Sequence, residues 1–215
     1  VNSASEQLDD GSLLVASIAI DGERMEIDFT GTSDVHPRNF NATEGIVNSV
    51  VLYVLRLMID EPMPLNEGML EPVRINLPHC MLNPGHGSDP GTSPAVAAGN
   101  TETSQRLVDL LLKALGIVAC SQGTMNNLLL GNKAFSYYET ICGGTGAGDG
   151  FDGVDAVHSH MTNTRITDPE ILEHRYPLRL EQFRIRRDSG GAGLHNGGDG
   201  VIRGIRFLQD MDVSV

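Results

Sequence analysis

Leu13-Leu-Val-Ala-Ser-Ile-Ala-Ile-Asp-Gly-Glu-Arg-Met-Glu-Ile-Asp-Phe29 decides the fold class of this chain. Leu14, Ala16, Ile18 and Ile20 recur at every second position, and Met25, Ile27 and Phe29 resume the alternation after Asp21-Gly22. Period-2 spacing places those side chains on one face of a strand, and a two-residue Asp-Gly connection suits the turn that returns a strand antiparallel. The stretch reads as a β-hairpin with one buried face.

Working outward, Asn41-Ala-Thr-Glu44 has the form of a capping box and leads into Ile46, Val47, Val50, Val51, Val54, Leu55 and Met58. That spacing predicts an amphipathic helix over 42–60, stopped by Pro62 and Pro64. A short strand is expected at 72–77, followed by a loop over 78–101 rich in Pro, Gly and Ser. A second helix should begin near Thr101 and bury Leu107, Val108, Leu111, Leu112 and Leu115, with Gly116 as a left-handed cap. Strands are expected at 125–131, 134–142, 178–187 and 200–208. The closing Met211-Asp-Val-Ser-Val215 alternates as a strand does. Two main helices among some eight short strands predict an α+β fold with mixed, largely antiparallel sheets. A first residue other than Met, and an alternating pattern still under way at the last, lead us to expect a segment of a longer polypeptide. Its 215 residues would belong to one domain.

Composition narrows the function classes. Lys and Arg number 15 against 28 Asp and Glu, a net charge of −13, which argues against a surface that neutralises nucleic-acid phosphates. The longest apolar stretch, Ile46 to Ile59, is too short to span a bilayer and is interrupted by Asn48, Ser49 and Arg56. Cys80, Cys120 and Cys142 form no pair at metal-ligand spacing and no disulfide framework, so a reducing compartment is expected. Glycine stands out: 25 of 215 residues, about 12% against roughly 7% in average usage. Much of it lies in 143–153 and 190–200.

Gly148-Asp-Gly-Phe-Asp-Gly153 satisfies GxGxxG, yet no helix pattern follows it and Asp149 and Asp152 would repel phosphate, so dinucleotide binding is rejected. No GxxxxGK[ST] loop occurs. His158-Ser-His160 would place two imidazoles on one face of a strand, with Asp152 and Asp155 just upstream. Such a set suits a general base or a divalent metal, or merely packs and caps. Gly99-Asn-Thr-Glu-Thr-Ser-Gln-Arg106 and Ser121-Gln-Gly-Thr-Met-Asn-Asn127 are dense in side chains able to meet both the C=O and the N–H of an amide ring, and equally able to cap and turn the chain. Glu139, in an apolar strand context, is either a base with a raised pKa or the partner of an arginine. Cys142 reads more readily as a small buried apolar residue than as a nucleophile. Arg179, Arg184, Arg186 and Arg187 make a basic run that suits a solvated strand face or a surface between subunits.

Seven blocks in order resemble the hydantoinase B family. They are Asp28-Phe-Thr-Gly-Thr-Ser33, Pro64-Leu-Asn-Glu-Gly68, the 99–106 and 121–127 blocks, Tyr138-Glu-Thr140, His158-Ser-His-Met-Thr-Asn-Thr164 and Gly197-Gly-Asp-Gly200. The family includes N-methylhydantoinase B subunits, the C-terminal part of 5-oxoprolinase and subunits of acetone and acetophenone carboxylases. The resemblance implies a cytoplasmic hetero-oligomer with a hydantoinase A-like partner. That partner would carry ATP and Mg and activate the substrate carbonyl by phosphorylation, while this segment binds no cofactor of its own. The expected reaction is ATP-dependent opening of a cyclic amide such as 5-oxoproline or a hydantoin. A ketone carboxylase subunit and a non-catalytic scaffold are the alternatives. The carboxylase-type His/Asp divalent metal site is expected in a portion preceding the hairpin, and the fragment alone is expected to be inactive.

Within this resemblance, proton transfer is assigned to His158 or His160, and orientation or assistance to Glu139. Asn100, Gln122, Asn126, Asn127 and Asn163 are assigned to substrate amide edges. Gly143, Gly144 and Gly146, in the loop 143–150, are assigned to backbone contact with an oxyanion or phosphate. Leu194-His195-Asn196 departs from the family, whose members usually carry a basic residue before Gly-Gly-Asp-Gly.

Overall fold

A computed structural model describes residues 1–215, which divide into two compact units, Val1–Thr124 and Met125–Val215. The first unit grows from the hairpin. Strands β1 (Asn2–Gln7), β2 (Leu13–Asp21), β3 (Arg24–Asp28) and β4 (Val73–Asn76) lie side by side in that order, the first two pairings antiparallel and the last parallel. Ile18 stands opposite Ile27 and Ile20 opposite Met25; Asp21 still pairs with Arg24, so the two-residue turn is Gly22-Glu23, one residue beyond the expected Asp21-Gly22. Leu14, Ala16, Ile18, Ile27 and Phe29 are buried. Helix α1 (Glu44–Met58) buries Val47, Val50, Val51 and Val54 and packs on α2 (Ser104–Leu115), with Val51 and Val54 reaching the cavity that Ile18 and Ile27 also line, while α2 lies on β1 and β2 and buries Leu107, Val108 and Leu110 to Leu112. Each such side chain, fully buried, contributes about 1.5–3 kcal/mol.

Two local features depart from expectation. Thr43 is the N-cap of α1 but makes no side-chain capping bond. The fully buried Asn41 holds this entry instead: its Oδ1 accepts from the His36 N–H (2.7 Å), and its Nδ2 donates to the carbonyls of His36, Arg38 and Ala95. A π-helical turn over Gly99–Thr103 precedes α2. At the other end Gly116 adopts φ 70°, its N–H donating to Lys113 O and that of Ile117 to Leu112 O. This Schellman closure is what the glycine was expected to supply.

The second unit is built from β5 (Asn127–Gly131), β6 (Ser136–Thr140), α3 (Pro169–Arg175), β7 (Leu178–Ile185), β8 (Val201–Phe207) and β9 (Asp212–Ser214). One sheet has the order β6-β5-β9 and a separate ribbon pairs β7 with β8, all antiparallel. Its apolar core is Leu130, Tyr137, Leu172 and Leu178, with Phe135 and Tyr176 packed against it. Helix α3 and strand β1 were not anticipated. Asp168 opens α3 by accepting from the N–H of Glu170 (2.9 Å), with Pro169 at the first helical position, a start signal that was present in Asp168-Pro169. The α+β class with largely antiparallel sheets stands.

Candidate functional site

The glycine-rich loops of the second unit lie against one another, backbone on backbone. Beyond β6, Gly143 forms a bridge with Val157, whose N–H donates to Gly143 O (2.8 Å). Gly198 N–H donates to Thr145 O (2.9 Å), Gly153 N–H to Asn196 O (2.7 Å) and Ala156 N–H to Asp199 O (2.8 Å). A Cβ on Gly144 would fall 1.9 Å from Gly198 O, and one on Gly198 would fall 2.1 Å from Val154 O. Gly143 and Gly146 are buried within the same layers. Gly144, one of the glycines expected to cradle an oxyanion, therefore admits neighbouring chain, and there the close approach the composition implied is to the protein's own backbone.

Carboxylates tie these layers together. Asp199 accepts from the N–H groups of Asp188, Ser189 and Gly190 (3.1, 2.9 and 2.9 Å), and these bonds, led by that of Gly190, hold its carboxyl below the usual range. Asp155 accepts from the Asp199 N–H (2.8 Å) and pairs with Arg187 (3.2 Å), while Asp152 accepts from the Asn196 N–H (2.6 Å). No three His, Cys, Asp or Glu side chains converge as a metal-holding cluster, so the set of Asp152, Asp155, His158 and His160 is not one. His195, at the departure from the family pattern, accepts from the Gly150 N–H at Nε2 (3.2 Å), which puts its proton on Nδ1, 3.8 Å from Asp152.

His158 and His160 lie in irregular backbone, not on a strand, and His160 adopts φ 53°. Strand alternation therefore does not govern where the two imidazoles point, which corrects the shared-face expectation. His158 is half-buried, its Nδ1 is sealed from solvent with no hydrogen-bond partner, and burial lowers its pKa from the ordinary imidazole value. Burial thus favours the neutral form of this imidazole. Ser159 is buried, His160 half-buried and Asn163 exposed.

Glu139 is committed elsewhere. Arg203 donates to it through Nε (2.6 Å) and Nη2 (3.1 Å), and Tyr137 donates its hydroxyl (2.6 Å); both side chains of the ion pair are 1% exposed. Burial first, and then Glu139, push the Tyr137 phenol up to about 12. Arg203 also stands 5.1 Å from the centre of the Phe183 ring. Of the two readings open for Glu139, pairing with an arginine is the one the geometry realises. Burial pushes the Cys142 thiol up as well, which suits a small apolar filler. Asn127 Oδ1 accepts from the Tyr138 hydroxyl (2.6 Å), whereas Asn126 is exposed.

Asn100 and Gln122 belong to the first unit. Asn100 is exposed on the π-helical turn, its carbonyl accepting from Ser104 Oγ (2.5 Å), and Gln122 Nε2 donates to Thr124 O (2.9 Å). The two amide-rich blocks that contain them interlock: Asp109 accepts from the Ser121 N–H (2.8 Å), Thr124 donates to Glu102, and Arg106 lies across Gly123. One polar assembly was not anticipated. The His36 Nδ1 accepts from the Arg38 N–H (3.0 Å), so its proton lies on Nε2, directed at Asp10 (2.5 Å). Asp10 and His36 are 26 residues apart, and no spacing rule joins them.

Comparison with known proteins places these features in a wider setting. The family model described as Hydantoinase B/oxoprolinase matches residues 1–215. A protein of Arabidopsis thaliana named 5-oxoprolinase 1 is 47% identical over 212 residues, 98% of this chain and 16% of that protein. This chain thus spans about a sixth of that relative's length. Among solved structures, an ATP-dependent caprolactamase from Pseudomonas jessenii superposes with a TM-score of 0.77 at 24% identity, covering 98% of this chain and 39% of that one. A nucleotide-free acetone carboxylase gives 0.76 at 19% identity, covering 94% and 29%. These two likenesses establish a shared fold.

Proposed function

Because this chain belongs to the hydantoinase B/oxoprolinase family, we propose that it is the B-type segment of an ATP-dependent cyclic-amide hydrolase opening 5-oxoproline or a closely related ring. The observation that carries this reading is the 47% identity to a 5-oxoprolinase along 98% of the chain. No comparable identity links it to the caprolactamase or the acetone carboxylase.

ATP does not suit the residues present. The GxGxxG stretch closes on itself through Gly148 and Phe151, and the three converging N–H groups of 188–190 are filled by Asp199. We therefore assign ATP and Mg to a hydantoinase A-like partner, and to this segment the handling of the activated ring. His158 is the proton acceptor: burial lowers its pKa, which favours the neutral imidazole that can take up a proton. In this scheme it takes the proton of the water that adds to the phosphorylated carbonyl carbon and returns it to the ring nitrogen as the C–N bond breaks; the acyl phosphate left behind then loses inorganic phosphate to a second water. His160 and the exposed Asn163, on the same loop, hold the substrate amide. Glu139 acts from a distance, keeping β6 and β8 joined through Arg203.

The test uses the longer protein that contains this segment, co-expressed with an A-type partner and assayed for ATP hydrolysis coupled to 5-oxoproline. His158→Ala should lower turnover about 10²-fold, the usual size of a lost general base. Wild-type turnover in both His158→Ala and His160→Ala would leave the segment a scaffold. Bicarbonate-dependent product from a ketone, without lactam hydrolysis, would transfer the reading to the carboxylase class.

A further inference from the structure

The β7–β8 ribbon has two unlike faces. On one, Phe183 and Arg203 face each other in register and join the buried ion pair with Glu139. On the other, Arg179 stands directly opposite Arg206, and Arg184 follows on the same side beyond the irregularity between Leu180 and Gln182. Like charges directly opposite in an antiparallel pair repel across about 5 Å. Glu181 answers Arg206, but Arg179 and Arg184 face no carboxylate and are exposed. An acidic protein that concentrates unpaired arginines on one outward face is holding them for a counter-charge.

The same chain carries the complementary surface. Residues 57–73 contain Asp60, Glu61, Glu67 and Glu71 and no basic residue. From Asp60 to Gly68 every residue is exposed, and with Leu57 they leave apolar side chains in water: Leu57 is 53% exposed and Leu65 64%. Exposed apolar side chains among carboxylates are the composition of a contact surface. Beyond Met58, the last residue of α1, the strip is irregular but for a 3-10 turn at Glu67–Leu70, so most of it can follow a ribbon that a helix would meet along one line.

We propose that the outward face of β7–β8 binds the acidic strip 57–71 of a second copy of this chain. Two different surfaces meet in this contact. Its charges are solvent-exposed, which makes the association sensitive to salt. Leu57 and Leu65 supply the apolar part that salt does not weaken.

The proposal is tested on the 215-residue chain by sedimentation velocity over a range of concentrations. Association above the monomer is expected at about 50 mM salt, weakened about tenfold or more at about 500 mM. Arg179→Glu with Arg184→Glu should give a monomer of unchanged circular dichroism, and so should Asp60→Arg with Glu61→Arg. Mixing the two charge-reversed chains should restore association through the reversed surfaces. A wild-type chain that stays monomeric at low salt overturns the proposal, as does assembly that survives both reversals. If the arginine variant fails to fold, the acidic-strip variant decides alone.

Discussion

The two units hold themselves together by different means. In Val1–Thr124, two helices lay apolar stripes on a four-stranded sheet, and side chains fill the space between. In Met125–Val215 the apolar core is four buried residues, and order comes from glycine backbones in direct contact, aspartates accepting backbone N–H groups, and one buried ion pair. A side-chain core tolerates small changes of shape because neighbours can relax, whereas two backbones in contact have nothing to move. The second unit should therefore be the more brittle to the smallest substitutions, and the first the more sensitive to loss of volume.

The sharpest way to break this contrast is to add one carbon. Gly198→Ala places a methyl 2.1 Å from Val154 O and should cost more than about 4 kcal/mol, the range reserved for severe steric faults. Hydrogen exchange should then show lost protection in 143–157 and 188–200 while α1 and α2 stay protected. Gly191→Ala, which meets nothing within 4 Å, should change stability by no more than about 0.5 kcal/mol. Equal effects at both positions would remove the backbone-packing argument.

A second comparison sets the buried pair against the buried core. Glu139→Gln leaves Arg203 charged in a site where both side chains are 1% exposed, and should cost about 3–5 kcal/mol. Leu107→Ala in the first unit should cost about 2–5 kcal/mol through the cavity it leaves. The two are separated by rescue: Glu139→Met with Arg203→Met should recover most of the loss, because uncharged partners leave no stranded ion. Denaturant melts measure all three. If the double variant is no better than Glu139→Gln, the pair does more than fill its site.

The smallest effect lies in acid. Backbone and side-chain bonds, first from the Ser12 N–H and then from His36, lower the Asp10 carboxyl from 3.8 to about 2. A carboxyl whose pKa is lowered by folding stabilises the native state above its unfolded value, and that contribution disappears as pH falls through the folded value. Stability of the first unit should therefore decline between about pH 4 and pH 2, and Asp10→Asn should flatten that decline. Thermal melts across this window measure it. A wild-type profile indistinguishable from that of Asp10→Asn would show that the His36 contact contributes nothing.

Much of the first unit was legible because its signals are local. The hairpin followed from period-2 spacing around Asp21-Gly22, both helices from the spacing of Val47, Val50, Val51 and Val54 and of Leu107, Val108, Leu111 and Leu112, and the left-handed end of α2 from Gly116. Strand β1 escaped because Asn2-Ser-Ala-Ser-Glu-Gln7 is polar and is a strand only through its pairing with β2. Helix α3 was short enough for its Asp168-Pro169 signal to pass unread. The site was far less legible. Glu139 could be a base or an ion-pair partner, and the choice depended on Arg203, 64 residues later. His158 and His160 looked like strand neighbours until the left-handed backbone of His160 removed that geometry.

By itself, the sequence determined the α+β class, the alternating and helical faces of the first unit, and the family likeness carried by seven ordered blocks. Those properties depend on residues within a turn or two of one another, where spacing alone dictates which side chains share a face. The tertiary structure decided where the glycines sit. Their excess reads in the sequence as freedom of the chain, and in the fold it is close contact between Gly144 and Gly198. It decided as well that Asp152, Asp155 and Asp199 hold backbone and gather no metal, and that Glu139 answers Arg203. Apart from Asp199, which holds the N–H groups of residues 9 to 11 positions before it, each of these outcomes joins residues 44 or more positions apart or sets an absence against the whole fold, and no local rule of spacing reaches so far.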